Sequence, residues 1–258
     1  MITNSKSFEV LKEQIQSTLD FSVLTCHAVP ALKAYMKAVE GEYAEKLPDA
    51  DYFKGNDNSF EQLRGFVPEY KKSLGKLVFI SSFSYFEAYF KSLIAEVLKF
   101  HGGHETFLEL SQEKQAIHMR TVDQDEGIRK SANKLRDYRK SGKEQKYSKH
   151  TEELENTEFR FPSELFATFG LKELGTNYQD LKASQIPYIA KWCFGVSLTK
   201  EEEGTFSSYR ELRNKAAHGK LTQLDLSEAT EINQFLRNLA IKIDKHVVGH
   251  YFVIEKLT

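Results

Sequence analysis

Cysteine is scarce in this sequence of 258 residues, which holds only Cys26 and Cys193. Neither belongs to a C-x-x-C pair, so neither a structural zinc site nor a disulfide framework is indicated. We expect both to be small apolar core residues of a protein from a reducing compartment. An excess of one charge is also absent, since the formal net charge is -1 at pH 7. This excludes a uniformly basic nucleic-acid binder but leaves room for a local basic patch.

Export and membrane signals are missing too. The first residues lack the basic and apolar regions of a signal peptide. The longest apolar block, 77–100, carries Glu87, Lys91 and Glu96 near its centre, and each would cost a few kcal/mol in hydrocarbon. We therefore expect a cytoplasmic protein that makes no membrane contact, with the apolar block forming a buried central helix.

What the sequence does have is helical periodicity along most of its length. Apolar residues recur at steps of three and four, which predicts an all-α fold in one domain over 1–258. Pro30 falls inside the first periodic stretch and predicts either two helices or one kinked helix. Turn residues fill 48–68, and Gly102 and Gly103 predict the end of the central helix. The predicted helices cover 5–26, 32–47, 77–100, about 200–219 and 225–248.

The segment of about 104–158 has a different character. Between residues 129 and 149 it has nine lysines or arginines against two acids, with Tyr138 and Tyr147 among them. Two interpretations stay open. The segment is either a solvated helix or mobile loop, or it guides RNA by neutralising phosphates and stacking bases. On the second, we predict RNA contacts from Arg136, Arg139 and Lys140.

Near the C-terminus a short stretch combines the residue types that acid–base chemistry on a phosphate needs. Thr199 and Glu202 form a capping box that begins a helix, and Gly219 is its expected C-cap. Gly204 weakens the helix, so we expect its regular part to begin only at Ser207. This helix contains the run Arg213-Asn214-Lys215-Ala216-Ala217-His218.

Helical geometry predicts how these side chains share space. Residues four apart lie about 40° apart round the axis, so Asn214 and His218 share a face, with Arg213 on its flank. A histidine can transfer protons near neutral pH, and a guanidinium can hold two phosphate oxygens. The alternative is that Arg213 and His218 merely cap the helix and pair with acids. Lys215 and Lys220 are further candidates for RNA contact.

Four features of the sequence carry a resemblance to a known family: the all-helical layout, the Phe-Glu-Ala-Tyr-Phe run at 86–90, the Phe-Gly-Leu region of 161–174 and the stretch 212–219. Together they resemble the RiboL-PSP-like HEPN proteins, whose signature is Arg-x4-His. The resemblance implies a HEPN-type antiparallel helical bundle with extra N-terminal helices and a basic insertion. It also implies a homodimer through the motif helices, with one histidine from each chain in a composite site.

The activity implied by the resemblance is a metal-independent endoribonuclease that uses no cofactor. Its roles in phage defence, abortive infection or toxin–antitoxin pairs imply an antitoxin or regulatory protein as a further partner. By position, Arg213 would bind the phosphate, His218 would transfer protons, and Asn214 would orient either group. Lys220 stands where some HEPN proteins have a tyrosine, so this chain departs from those toxins. Glu87 is either a solvent-edge carboxylate or a supporting site residue. The alternative function is a catalytically inactive HEPN module that binds RNA, a nucleotide or a protein partner.

Overall fold

A computed structural model describes residues 3–47, 60–103, 105–106, 126, 130, 180–220 and 224–252. This part of the chain is built from helices and turns and contains no strand, which confirms the all-α prediction. The Phe-Gly-Leu region of 161–174 and most of the basic segment lie outside the described residues. We name the five main helices in chain order: α1 Lys6–Glu40, α2 Phe60–Phe66, α3 Tyr70–Phe100, α4 Lys200–Ala217 and α5 Leu226–Tyr251.

Helix α1 runs through Pro30 as one continuous helix and ends at Glu40, before the predicted limit at residue 47. Its N-terminus is capped from elsewhere in the chain. The carboxylate of Glu96 accepts hydrogen bonds from the backbone of Lys6 at 3.0 Å and of Ser7 at 2.9 Å. An acidic group at this end also meets the positive pole of the helix dipole. Glu96 thus satisfies two of the backbone donors that every helix start leaves without partners.

Helix α2 lies within 48–68, where turn residues predicted a loop, and that prediction is wrong for residues 60–66. The helix has only seven residues, none of them buried, so no apolar period marks it. Helix α3 begins earlier than predicted and ends as predicted. The backbone N–H of Gly103 donates to the carbonyl of Leu98 at 2.8 Å, and both Gly102 and Gly103 have positive φ. Glycine adopts that conformation without strain, which is why the helix stops there.

The described chain divides into two compact units. The first unit comprises 1–11, 86–210 and 237–258, and the second comprises 12–85 and 211–236. Whether the chain is a single domain over its whole length stays a prediction.

The core of the first unit is aromatic and centred on the later part of α3. Phe90 is fully buried and meets Phe194 edge-to-face at 6.3 Å, while Phe86 packs on Phe206 of α4 at 5.7 Å. A short series of 3-10, α and π turns at 183–193 precedes Phe194. These ring contacts fix the first part of α4 against α3.

The second unit contains the early part of α3 and the connection that follows the motif. Gly75 of α3 lies so close to this connection that a Cβ there would be 2.5 Å from the carbonyl oxygen of Leu224. Leu224 is itself buried, and Asp225 then begins α5, its carboxylate accepting a hydrogen bond from the backbone of Leu226 at 2.8 Å. Only glycine allows two backbones to approach so closely.

Candidate functional site

The start of α4 is held in place by reciprocal capping. The N–H of Glu202 donates to the hydroxyl of Thr199 at 3.1 Å, and the N–H of Thr199 donates to the carboxylate of Glu202 at 2.8 Å. The predicted capping box is therefore confirmed. The helix is regular from Lys200, so the prediction that its regular part begins only at Ser207 is wrong. The cap satisfies free donors at the helix start, and this offsets the weak helix propensity of Gly204.

Two lysines attach the same end of α4 to neighbouring elements of the first unit. Lys242 of α5 contacts both carboxylate oxygens of Glu202 at 2.8 and 2.9 Å. Lys191 contacts Glu203 at 2.7 Å. Both pairs are partly buried, so solvent screens them less than it screens exposed pairs. The helix that carries the motif is thus fixed at its first turn.

The other end of α4 closes with a Schellman motif. The N–H of Lys220 donates to the carbonyl of Lys215 at 2.8 Å, and the N–H of Gly219 donates to that of Ala216 at 3.2 Å. Gly219 has a φ of 71°, in the left-handed region that favours glycine. This confirms the predicted C-cap and places His218 directly after the last helical residue, Ala217, with its side chain exposed.

Arg213 is oriented toward α3. Its Cζ lies 5.1 Å from the centroid of the Phe83 ring, within the range of a cation–π contact. Phe83 is fully buried, Arg213 is half-buried, and the Nε atom of Arg213 is buried. The sequence predicted a guanidinium on the flank of the Asn214–His218 face. The structure adds that an aromatic ring lies beneath it.

The remaining motif residues divide between core and solvent. Ala216 is buried, whereas Asn214, Lys215, His218 and Lys220 are all exposed. The second unit therefore presents a polar surface that contains a histidine, an amide and two ammonium groups at one end of α4. That surface has the proton-transfer group and the positive charges that a phosphodiester requires.

Other predicted site residues lie elsewhere. Glu87 is partly exposed on α3 and belongs to the first unit, and its part in the site stays a prediction. Arg136, Arg139 and Lys140 lie outside the described residues. Within the basic segment, Lys130 contacts Glu126 at 2.7 Å through an exposed i,i+4 pair.

The resolved pKa shifts belong to the first unit. Desolvation, with the nearby charge of His250, lowers the pKa of His246 to about 4, although its ring nitrogen lies 2.6 Å from the carbonyl oxygen of Phe194. Burial raises the pKa of Tyr89, and the carboxylate of Asp244 adds to the effect. These groups keep their uncharged forms at neutral pH, which fits a structural role.

The pKa of Glu202 is lowered at the start of α4. Desolvation acts against this shift, but the hydrogen bonds from Lys242 and Thr199 outweigh it because they favour the carboxylate. Glu202 is therefore charged at neutral pH, as its pairing with Lys242 requires.

The described residues include neither a metal-binding cluster nor a membrane-spanning helix. No cluster of three or more His, Cys, Asp and Glu side chains among them is arranged to hold a metal ion. None of the helices in that part of the chain combines the length and apolar composition that crossing a bilayer requires.

The geometry defines a class of protein: an all-helical chain with an Arg-x4-His sequence at the end of one helix. The RiboL-PSP-HEPN family profile matches residues 51–249, which include α2 to α4, the motif and all but the last two residues of α5. The chain belongs to the RiboL-PSP-HEPN family. This confirms the resemblance drawn from the sequence. Neither a curated protein nor a solved structure matches the chain.

Proposed function

We propose that this protein is a metal-independent endoribonuclease that acts as a homodimer. Two copies would meet through α4, and each would contribute Arg213 and His218 to one composite site. The observation that carries the proposal is the exposure of His218 at the Gly219 cap, one turn beyond a guanidinium held on Phe83, in a member of a HEPN family.

The proposed reaction is a transesterification within RNA. His218 of one chain removes the proton of the ribose 2′-hydroxyl, whose oxygen attacks the adjacent phosphorus. The bond from phosphorus to the 5′-oxygen breaks, and His218 of the other chain donates a proton to that oxygen. Arg213 stabilises the charge that develops on the phosphate oxygens, and Asn214 orients one of these groups. The products are a 2′,3′-cyclic phosphate and a 5′-hydroxyl.

Substrate binding would use the exposed lysines beside the histidine. Lys215 and Lys220 flank His218 and place positive charge where a phosphate backbone would run. Arg136, Arg139 and Lys140 would extend this contact along the RNA. We further propose that the activity serves phage defence or a toxin–antitoxin pair, in which an antitoxin or regulatory protein holds it inactive.

The proposal is tested by incubating the purified protein with total RNA in EDTA. Cleavage should persist and leave 2′,3′-cyclic phosphate ends. His218→Ala should slow it by at least about 100-fold, the usual contribution of a general acid or base. His27→Ala is the matched control, since His27 is an exposed histidine on α1 and should be dispensable. Loss of cleavage in EDTA, or full activity of His218→Ala, would contradict the proposal.

A second candidate is a HEPN module that binds RNA, a nucleotide or a protein without cutting RNA. The packing of Arg213 on Phe83 favours it, because that contact also suits a purely structural arginine. This candidate predicts RNA binding that survives His218→Ala and weakens when charges of the 129–149 segment are reversed. Binding that is insensitive to salt would indicate a protein partner instead.

A further inference from the structure

Phe83 contacts the guanidinium of Arg213 but lies on a different helix, outside the Arg-x4-His motif. The ring is fully buried in α3, and the guanidinium carbon lies 5.1 Å from its centroid. Phe79, one turn earlier and equally buried, meets Phe83 edge-to-face with centroids 6.4 Å apart and ring planes at 74°. Phe83 therefore has a neighbour that limits the movement of its ring.

We propose that Phe83 is a positioning residue that sets the plane of the Arg213 guanidinium for contact with the RNA phosphate. This inference rests on the proposed function and extends it to a residue outside the motif. An arginine in solvent samples many rotamers and would lose that freedom on binding. A guanidinium already held over a buried ring meets the phosphate with its donors oriented, so less ordering remains for the transition state.

The chemistry of the pair explains why the two residue types belong together. A guanidinium is planar and weakly hydrated, so its face packs on an aromatic ring while its edge carries the hydrogen-bond donors. The negative face of the ring attracts the cation, and the partial burial of Arg213 strengthens that attraction. A lysine ammonium has no flat face to stack. Arg213→Lys should therefore lose the orientation while it keeps the charge.

The sharpest test replaces Phe83 with phenylalanines carrying one, two and three ring fluorines. Fluorine draws charge from the ring face and weakens cation binding stepwise, while the shape of the side chain changes little. The cleavage rate should fall at each step, to about tenfold below wild type for the trifluoro ring. The same series at Phe79 is the matched control, because that ring has the same burial but contacts Phe83 rather than the guanidinium. Equal falls at both positions would overturn the proposal.

A second readout separates this inference from the nuclease itself. The Arg213 Nε–H resonance should be displaced by the ring current of Phe83, and Phe83→Leu should abolish that displacement while Phe79→Leu retains it. An unchanged resonance in Phe83→Leu would overturn the stacking. If the resonance shifts in Phe83→Leu but the wild-type protein cuts no RNA, the contact is present and the proposed function fails. The positioning proposal is then decided by RNA affinity, which the fluorine series must lower at Phe83 and leave unchanged at Phe79.

Discussion

Replacing Gly75 by alanine tests the packing that fixes the chain just after the motif. The added Cβ would lie 2.5 Å from the carbonyl oxygen of Leu224 and 2.7 Å from the carbonyl carbon of Asp225. Both opposing atoms are backbone atoms, which cannot move aside by a change of rotamer. The substitution therefore has to push α3 and the 224–225 connection apart.

The magnitude follows from two opposing effects. Alanine gains about 1 kcal/mol over glycine inside a helix. Overpacking costs about 1–3 kcal/mol, and rigid backbone atoms place this clash at or above the upper end of that range. We expect a net loss of about 2 kcal/mol, equivalent to a fall in Tm of roughly 4–8 °C for a chain of this size. Displacement of the connection after His218 should also reduce any RNA cleavage.

Gly204→Ala is the matched control, because Gly204 lies inside α4 and, apart from its chain neighbours and the backbone of its own helix, nothing lies within 4 Å of the added Cβ. Only the helix-propensity gain remains there, so this variant should be more stable by about 1 kcal/mol. Thermal unfolding followed by circular dichroism measures both variants. A Gly75→Ala protein as stable as Gly204→Ala would refute the close approach of α3 to residues 224–225.

Three further outcomes follow from the geometry. Between pH 7 and 4.5 the wild type should lose about 2 kcal/mol of unfolding free energy through His246, since its folded pKa of about 4 lies below the unfolded value and protons bind the unfolded chain first. His246→Gln should lack that loss in urea titrations at the two pH values, and an identical pH dependence would contradict the assignment. Thr199→Ala should cost about 1 kcal/mol in the same titrations by removing the cap of α4, and an unchanged stability would count against it. For RNA binding, the double variant Lys215→Gln, Lys220→Gln should lower the slope of log K against log salt by about 1.4, whereas Lys245→Gln on α5 should leave it unchanged. A double variant with the wild-type slope would exclude both lysines from the RNA interface.

Local chemistry explains which parts of the fold the sequence predicted well. The cap at Thr199 and the stops at Gly103 and Gly219 depend on residues no more than five positions apart, so the sequence contains all the information needed. The same holds for the central helix, where apolar residues nearly all round predict burial on several sides.

Helix α1 has features that the local sequence did not predict. Its buried stripe includes Phe8, Leu11 and Ile15 as predicted, but Val23 and Tyr35, which belong to the same apolar pattern, are largely exposed. The helix also continues through Pro30 instead of breaking. Burial and tolerance of a proline depend on what packs against a helix, and one sequence does not state which element that is.

The contact between Arg213 and Phe83 could not be predicted either, because it too depends on how two helices pack. Phe83 is one of several aromatic residues in α3, and its position relative to the motif is set by how α3 and α4 pack in the second unit. The sequence identified Arg213, Asn214 and His218 from their types and spacing. It held no signal for the ring that orients one of them.

The most direct measurement of the central claim is the activity of mixed dimers. Wild-type protein and His218→Ala are mixed, allowed to exchange subunits, and assayed for RNA cleavage at constant total concentration. If one histidine from each chain completes the site, only wild-type pairs cut RNA, and an equal mixture retains about one quarter of the wild-type activity. Activity of about one half, linear in the wild-type fraction, would contradict the composite site.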